Sequence, residues 1–293
     1  MSRSSRALVA VLVAAAATTA AAQKAEDLRL GVVGFYNPRL MVLKYQPLVD
    51  YLTECTGRAW ELDIGTTYEE TVDALCSDRL TAAYLGPFTY VRAHERCGAV
   101  PIARLETDGD DTYRSLILVR DDAPYDSLQS LRGHRFGFGA ALSTSSHLMP
   151  RAMLEDVGVP IDDIDCLFYG HHERAARAVL LGEVDACGVR DIIGERFLDR
   201  GLRLLAVSDP IPNFPLVVSP RSMALADQIL ACLVPSDPAA AERMARWDRE
   251  LASGFLPVDD AAYRPVAELA FEILGSEALR MSAEQIRADA GCR

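Results

Sequence analysis

Phe136-Gly137-Phe138-Gly139-Ala140-Ala141-Leu142-Ser143-Thr144-Ser145-Ser146-His147 begins as a short apolar strand and passes through glycine into four consecutive hydroxyl residues. Beyond it, Leu148, Met149, Ala152, Met153 and Val157 recur at helical spacing, and Gly158-Val159-Pro160 supplies a C-cap glycine and a proline stop. The reading is strand, turn, helix, with Ser143 or Thr144 as the N-cap. The first turn of a helix carries amide N–H groups without intrahelical partners, and its dipole places about half a positive charge there. Hydroxyl donors crowded into that turn make a socket for an anion that needs no cation. The same residues also read as an over-supplied helix cap.

The same unit recurs on either side. Upstream, residues 28–33, 60–64 and 81–85 read as strands, each followed by a helix: about 40–55, through 75, and to near Cys97-Gly98. Thr67 stands three residues before Glu70, in capping-box register. Downstream, strands are expected at 113–120, 166–169, 184–189, 202–208 and 216–218. Short helical segments begin near 127 and at His171-His172-Glu173, and residues 221–293 read as mostly helical. This alternation predicts an α/β protein with parallel sheets covered on both faces. Two extended crossings, near 118–120 and near the proline-stiffened 210–215, divide it into lobe 1 (23–118), lobe 2 (119–211) and a return to lobe 1 with C-terminal helices (212–293). Ligands of such sheets sit beyond the carboxyl ends of strands. The turns at 34–37, 65–68, 86–88, 140–147 and 170–173 are therefore expected to meet at one cleft.

Half of the 293 residues are hydrophobic, which suits a large core in one or two domains, and a net charge of -12 without a basic stripe excludes a nucleic-acid partner. Residues 1–22 read as an export signal: Arg3 and Arg6, an apolar run over 7–17, then small residues before Gln23. The run is too short and alanine-rich for a membrane span, and no later segment is long enough. No cysteine follows it to take a lipid anchor, so a soluble periplasmic protein is expected. Seven cysteines leave at least one thiol unpaired, with connectivity open, and no Cys or His spacing suits structural zinc.

Tyr45-Gln46-Pro47-Leu48, Thr67-Tyr68, Tyr84-Leu85-Gly86-Pro87, Tyr113-Arg114-Ser115-Leu116-Ile117, the run over 136–150 and Gly170-His171-His172-Glu173 carry a resemblance in their order and spacing. From 28 to about 218 the chain resembles the periplasmic substrate-binding proteins of phosphate, phosphite and phosphonate ABC transporters. The resemblance implies a type II periplasmic binding protein, or Venus flytrap, with two α/β lobes on a two-segment hinge. It implies that Ser143, Thr144 and Ser145 hold the oxyanion, that Tyr68 and Tyr113 present phenolic donors, and that His172 approaches from the second lobe. As a switchable donor, His172 would bind more strongly at lower pH. Read alone, Tyr68 also suits plain cleft lining, Tyr113 a strand residue packed under the hinge, and His147 a structural role.

Two departures from the family pattern bear on the ligand. Phe214 stands where aminoalkylphosphonate binders carry an acidic residue for the ligand amine, and Arg190 stands where many relatives have an acid or amide. Both favour a compact anion: phosphate, phosphite or a small alkylphosphonate. Arg190 reads as an extra anion contact or as a solvated surface arginine. The implied partner is an ABC-transporter permease. The alternative, from a branch that resembles periplasmic arsenite sensors, is a membrane histidine kinase, with thiolate ligation at Cys187 and Cys166. A buried thiol otherwise packs inertly. No metal site or cofactor is expected, and no enzyme activity, because no hydroxyl lies in a GxSxG elbow with an assignable Asp-His pair.

Overall fold

The chain opens with β1 (Leu28–Val33), α1 (Pro38–Thr56), β2 (Trp60–Gly65), α2 (Tyr68–Cys76), β3 (Ala82–Tyr84), α3 (Pro87–Cys97) and β4 (Val100–Leu105). A crossing strand, β5 (Thr112–Tyr113), leads to β6 (Ser115–Arg120), β7 (Arg135–Phe138), α4 (Met149–Asp156), β8 (Asp165–Phe168), α5 (His172–Leu180), β9 (Ala186–Arg190), α6 (Asp191–Leu198) and β10 (Leu202–Val207). The chain returns through β11 (Ile211–Pro212) to β12 (Pro215–Val218), α7 (Ala226–Leu233), α8 (Pro238–Met244), β13 (Phe255–Pro257), α9 (Arg264–Leu274) and α10 (Ala283–Asp289). This computed structural model describes residues 28–234 and 237–292; the export signal expected over 1–22 lies outside the described residues.

Lobe 1 is a six-stranded sheet in the order β13-β4-β12-β3-β1-β2, lobe 2 a five-stranded sheet in the order β10-β6-β9-β7-β8, and β11-β5 form a two-stranded ladder between them. The βαβ units pair in parallel, β1 with β2 and β3, and β7 with β8 and β9. Wholly parallel sheets do not form. β6 runs antiparallel to β9, and β12 antiparallel to β3 and β4. β6 opens lobe 2 after the first crossing and β12 rejoins lobe 1 after the second, and each runs against both strands it pairs with.

The strand expected over 113–120 breaks at Arg114. Tyr113 pairs with Ile211 in the hinge ladder, whereas β6 belongs wholly to lobe 2, so the crossing lies at 112–114 and not at 118–120. The break has a local cause. The Arg114 backbone N–H donates to Asp191 Oδ2 (2.6 Å) and its guanidinium to the Ser208 carbonyl (2.6 Å). The assignment of 212–293 to lobe 1 also needs correction at its end. Cys292 is bonded to Cys166 of β8, Arg151 of α4 pairs with Asp289 (3.1 Å), and Ala290 is buried in the lobe 2 core.

β6 shows how one sequence serves two faces: Leu116 and Leu118 join one apolar cluster, Ile117 and Val119 the other. A strand buried on both sides reads as a continuous apolar run, as here. Among the described residues no helix is long and apolar enough to cross a membrane.

Candidate functional site: a hydroxyl-lined turn at the interlobe cleft

β7 delivers the chain to the cleft at Gly139. Ser143 caps the next helical turn, its Oγ accepting from the Ser146 N–H (3.2 Å). That turn is wider than an α-helix. Leu148 N–H donates to the Ser143 carbonyl (3.1 Å) and Met149 N–H to that of Thr144, so Thr144–Leu148 forms one π-helical turn before α4. Such turns frequently mark functional sites. A side chain at Gly139 would collide with Ser146, so the glycine is what lets the turn close against the strand. Gly139 N–H also donates to the Ser146 carbonyl (3.2 Å).

Residues Ser143 to Ser146 are all buried, and their hydroxyls have separate tasks. Thr144 Oγ1 accepts from the Phe88 N–H at the start of α3 (2.9 Å), and Thr89 Oγ1 donates to the Leu142 carbonyl (3.3 Å), so two hydrogen bonds join the lobes here. Ser115 Oγ donates to the Ser145 carbonyl (2.7 Å). Ser145 Oγ, Ser146 Oγ and Tyr113 Oη have no hydrogen-bond partner in the protein although all are buried. Tyr113 lies next to this turn. Burial pushes its pKa up to about 12, against the pull of Arg190 and of the Ser145 and Thr144 hydroxyls. Tyr68, at the start of α2 in lobe 1, lies beside the Ser143 hydroxyl, and burial raises its pKa against the pull of that hydroxyl. Both phenols are donors at any physiological pH.

His172 Nδ1 accepts from the Arg190 backbone N–H (3.0 Å), which places the proton of the neutral ring on Nε2, 3.3 Å from Ser143 Oγ. Burial first, then the charges of Arg190 and His171, lower its pKa to about 3. Burial thus favours the neutral ring over the pH-switchable donor expected from the sequence. The neighbouring His171 faces elsewhere: its Nδ1–H donates to the Gly34 carbonyl (2.9 Å), a further bond between the lobes. His147 is structural, with its Nδ1–H on the Ala141 carbonyl (2.7 Å) and its ring edge-on to Phe138 and Phe168.

Arg190 is not a solvated surface arginine. It is 1% exposed, and its Nη1 donates to Glu250 Oε1 (2.6 Å) and its Nη2 to Asn213 Oδ1 (3.2 Å), leaving only Nε unpartnered. Its guanidinium carbon lies 4.3 Å from the Phe214 ring centre and 4.9 Å from that of Tyr113. Burial is the largest single influence and pulls its pKa down, but Glu250 together with Tyr84, Tyr36 and Asp191 outweighs it and holds the group above the ordinary arginine value. The Glu250 carboxylate, fully buried, also accepts from Tyr45 (3.1 Å) and Tyr84 (3.3 Å) on Oε1 and from Tyr36 (3.1 Å) on Oε2. Behind the hydroxyl turn there is therefore a filled, charge-balanced wall. Phe214 stacks on Tyr84 at the centre of it and packs against Phe35 and Tyr113.

Sequence reading missed Glu250 and its ring of phenols. The carboxylate lies in Trp247-Asp248-Arg249-Glu250, whose charge density reads as a solvated helix face, and only Tyr45 and Tyr84 stand inside recognisable motifs. The thiolate site at Cys187 and Cys166 is overturned. Cys166 is disulfide-bonded to Cys292, alongside Cys55–Cys232 and Cys76–Cys97, and Cys187 is a buried free thiol whose pKa burial raises. The turns expected to converge do so: residues Gly34, Thr66 to Glu69, Gly139 to Leu142 and Gly170 to His171 line a mouth cavity of about 330 Å³, and Phe88 reaches Thr144 beneath it.

A family model described as ABC transporter, phosphonate, periplasmic substrate-binding protein matches residues 30–263. The phosphate-import protein PhnD of Mycolicibacterium smegmatis is 26% identical over 280 residues, covering 86% of this chain and 87% of that protein. PhnD1 of Prochlorococcus marinus, solved with methylphosphonate, superposes with a TM-score of 0.76 at 18% identity, covering 85% of this chain and 98% of its own. The binding protein of an ABC phosphonate transporter from Pseudomonas aeruginosa gives 0.73 at 21% identity, covering 90% and 93%. At these identities the structural likeness establishes the fold, a type II periplasmic binding protein with two lobes.

Proposed function

Because the chain belongs to the family of periplasmic substrate-binding proteins of phosphonate ABC transporters, we propose that its cleft captures a compact tetrahedral oxyanion (phosphate, phosphite or a small alkylphosphonate) for a membrane permease. The observation that carries this reading is the pair of buried, unpartnered hydroxyls, Tyr113 Oη on β5 and Ser145 Oγ at the start of the helical turn. Buried polar groups in folded proteins are nearly always paired, so two adjacent exceptions point to a ligand with acceptor oxygens. The helix start adds free amides and dipole, and His172 Nε2–H, Tyr68 and Ser143 complete a set of neutral donors. Hydrogen bonds from such donors to a charged acceptor are of the stronger kind.

The wall behind them supports compactness. Phe214 offers no carboxylate to a ligand amine, and Glu250 is already taken by Arg190 and three phenols. An ammonium group directed there would lie beside the Arg190 guanidinium, so aminoalkylphosphonates are disfavoured. Binding without turnover is supported by the His172 tautomer: with Nδ1 accepting from Arg190 N–H, Nε2 carries a proton and cannot take one from Ser143. Three disulfides fit the periplasm, to which the export signal read over 1–22 would direct the chain.

A thermal-shift panel tests the reading. Phosphate, phosphite and methylphosphonate at large excess over their Kd should each raise the midpoint by the equivalent of several kcal/mol. Aminoethylphosphonate, sulfate and arsenite should shift it less. A shift with arsenite alone would reject the proposal.

A further inference from the structure

The mouth cavity has a third wall that belongs to neither βαβ set. Residues 275–292 leave α9 on lobe 1 and end on lobe 2. On the lobe 1 side, Arg92 of α3 donates to the Ala278 carbonyl (3.1 Å) and Arg280 pairs with Glu95 (2.6 Å). On the lobe 2 side, Asp289 pairs with Arg151 (3.1 Å) and the Cys166–Cys292 disulfide makes the attachment covalent. Between these anchors α10 places Ala283 and Arg287 in the lining of the mouth, which Tyr68 and Arg174 of α5 also line. Arg174 and Arg287 are exposed, and neither is in an ion pair among the described residues. The Arg287 Nε is held by the Ala283 carbonyl of its own helix (3.2 Å). Among the described residues, Glu69 is the one carboxylate lining the cavity.

We propose that this mouth is an anion-collecting vestibule, formed by Arg174 and by Arg287 on a C-terminal strap that the Cys166–Cys292 disulfide pins across the interlobe gap. It rests on the reading of the ligand as an oxyanion. The chain carries a net charge of -12, so its long-range field repels an approaching anion, and capture needs a local reversal of sign at the entrance. Two unpaired guanidinium groups against one carboxylate supply that reversal in the cavity that Tyr68 also lines. Because both arginines stand outside the buried donor set, they make no contact that a bound anion must break, and their effect falls on the association rate.

Stopped-flow mixing with inorganic phosphate, and separately with methylphosphonate, tests this, followed by the fluorescence of the cleft tyrosines at about 20 mM and about 300 mM ionic strength, which bracket a Debye length near 10 Å. Wild-type association should slow steeply with salt. Arg174→Gln with Arg287→Gln should associate about three- to tenfold more slowly at low salt, approach wild type at high salt, and dissociate at the wild-type rate. Cys166→Ser with Cys292→Ser should fall between the two, since only Arg287 loses its placement. An unchanged association rate and salt slope in the arginine variant, with wild type binding normally, would overturn the vestibule alone. No saturable signal from wild type with either anion would overturn the oxyanion reading and the vestibule with it. The arginine substitutions are on the surface, so they decide the matter even if the disulfide variant fails to fold.

Discussion

Glu250→Ala should be among the most damaging single substitutions in this protein although it touches no ligand donor. Its carboxylate takes hydrogen bonds from Arg190, Tyr36, Tyr45 and Tyr84, all buried and none able to turn to solvent. Removing one partner of a buried ion pair costs about 3–5 kcal/mol, because the other charge is left unpaired. Each orphaned phenol adds up to about 1–3 kcal/mol where water cannot replace the lost acceptor. The expected loss is at least ~4 kcal/mol, roughly 8 °C in Tm at about 2 °C per kcal/mol for a chain of this size. Arg190→Met should cost less, since Glu250 would keep three phenols and Lys44 Nζ at 3.7 Å, and a methionine suits the rings of Phe214 and Tyr113. The double variant Arg190→Met, Glu250→Ala should cost less than the sum of the two. Urea unfolding of the unliganded protein, monitored by circular dichroism, measures all three. Glu250→Ala within about 1 kcal/mol of wild type, or strict additivity, would refute a tightly coupled buried pair.

The same geometry has other consequences. His147 and His172 are held neutral with pKa values lowered to about 3, so the unfolded chain takes up protons first as pH falls below its histidine range near 6.5. Stability should therefore drop by roughly 2 kcal/mol per histidine between about pH 6.5 and 5, and His147→Asn, which keeps a donor for the Ala141 carbonyl, should remove about half of that slope in urea titrations. Thiol titration should find no reactive cysteine in the native protein and a single one, Cys187, after unfolding without reductant; three or more would contradict the disulfide pattern. Gly139→Ala should weaken oxyanion binding at least tenfold by displacing Ser146 and widening the turn, and calorimetry showing wild-type affinity would reject that role of the glycine.

The strand-helix alternation and the capped turn at Ser143 are legible in the sequence because each rests on local chemistry: apolar period, glycine, hydroxyl caps. Strand direction is not. β6 and β12 have the same apolar character as their parallel neighbours, and only the crossings that precede them reverse their sense. The hinge reads several residues late because 113–120, with its apolar centre at 116–119, reads as one strand, whereas the break at Arg114 depends on Asp191 and Ser208, far along the chain. Ser143 to Ser145, Tyr68, Tyr113 and His172 stand out through motifs on single elements. Glu250 is invisible because its burial exists only once three phenols from lobe 1 and an arginine from lobe 2 have met. Pairing among the cysteines is equally hidden, being a matter of which ends the fold brings together.

Isothermal titration of phosphate and methylphosphonate into Tyr113→Phe with Ser145→Ala, beside wild type, asks most directly whether unpartnered buried hydroxyls hold the anion. Neither hydroxyl bonds to the protein, so the unliganded variant should unfold at the wild-type temperature or above it. Two hydrogen bonds to a charged ligand, at about 1.5–3 kcal/mol each, should cost it about 100-fold or more in affinity. Wild-type affinity in that variant, or a large loss of unliganded stability, would contradict an oxyanion seated on this turn.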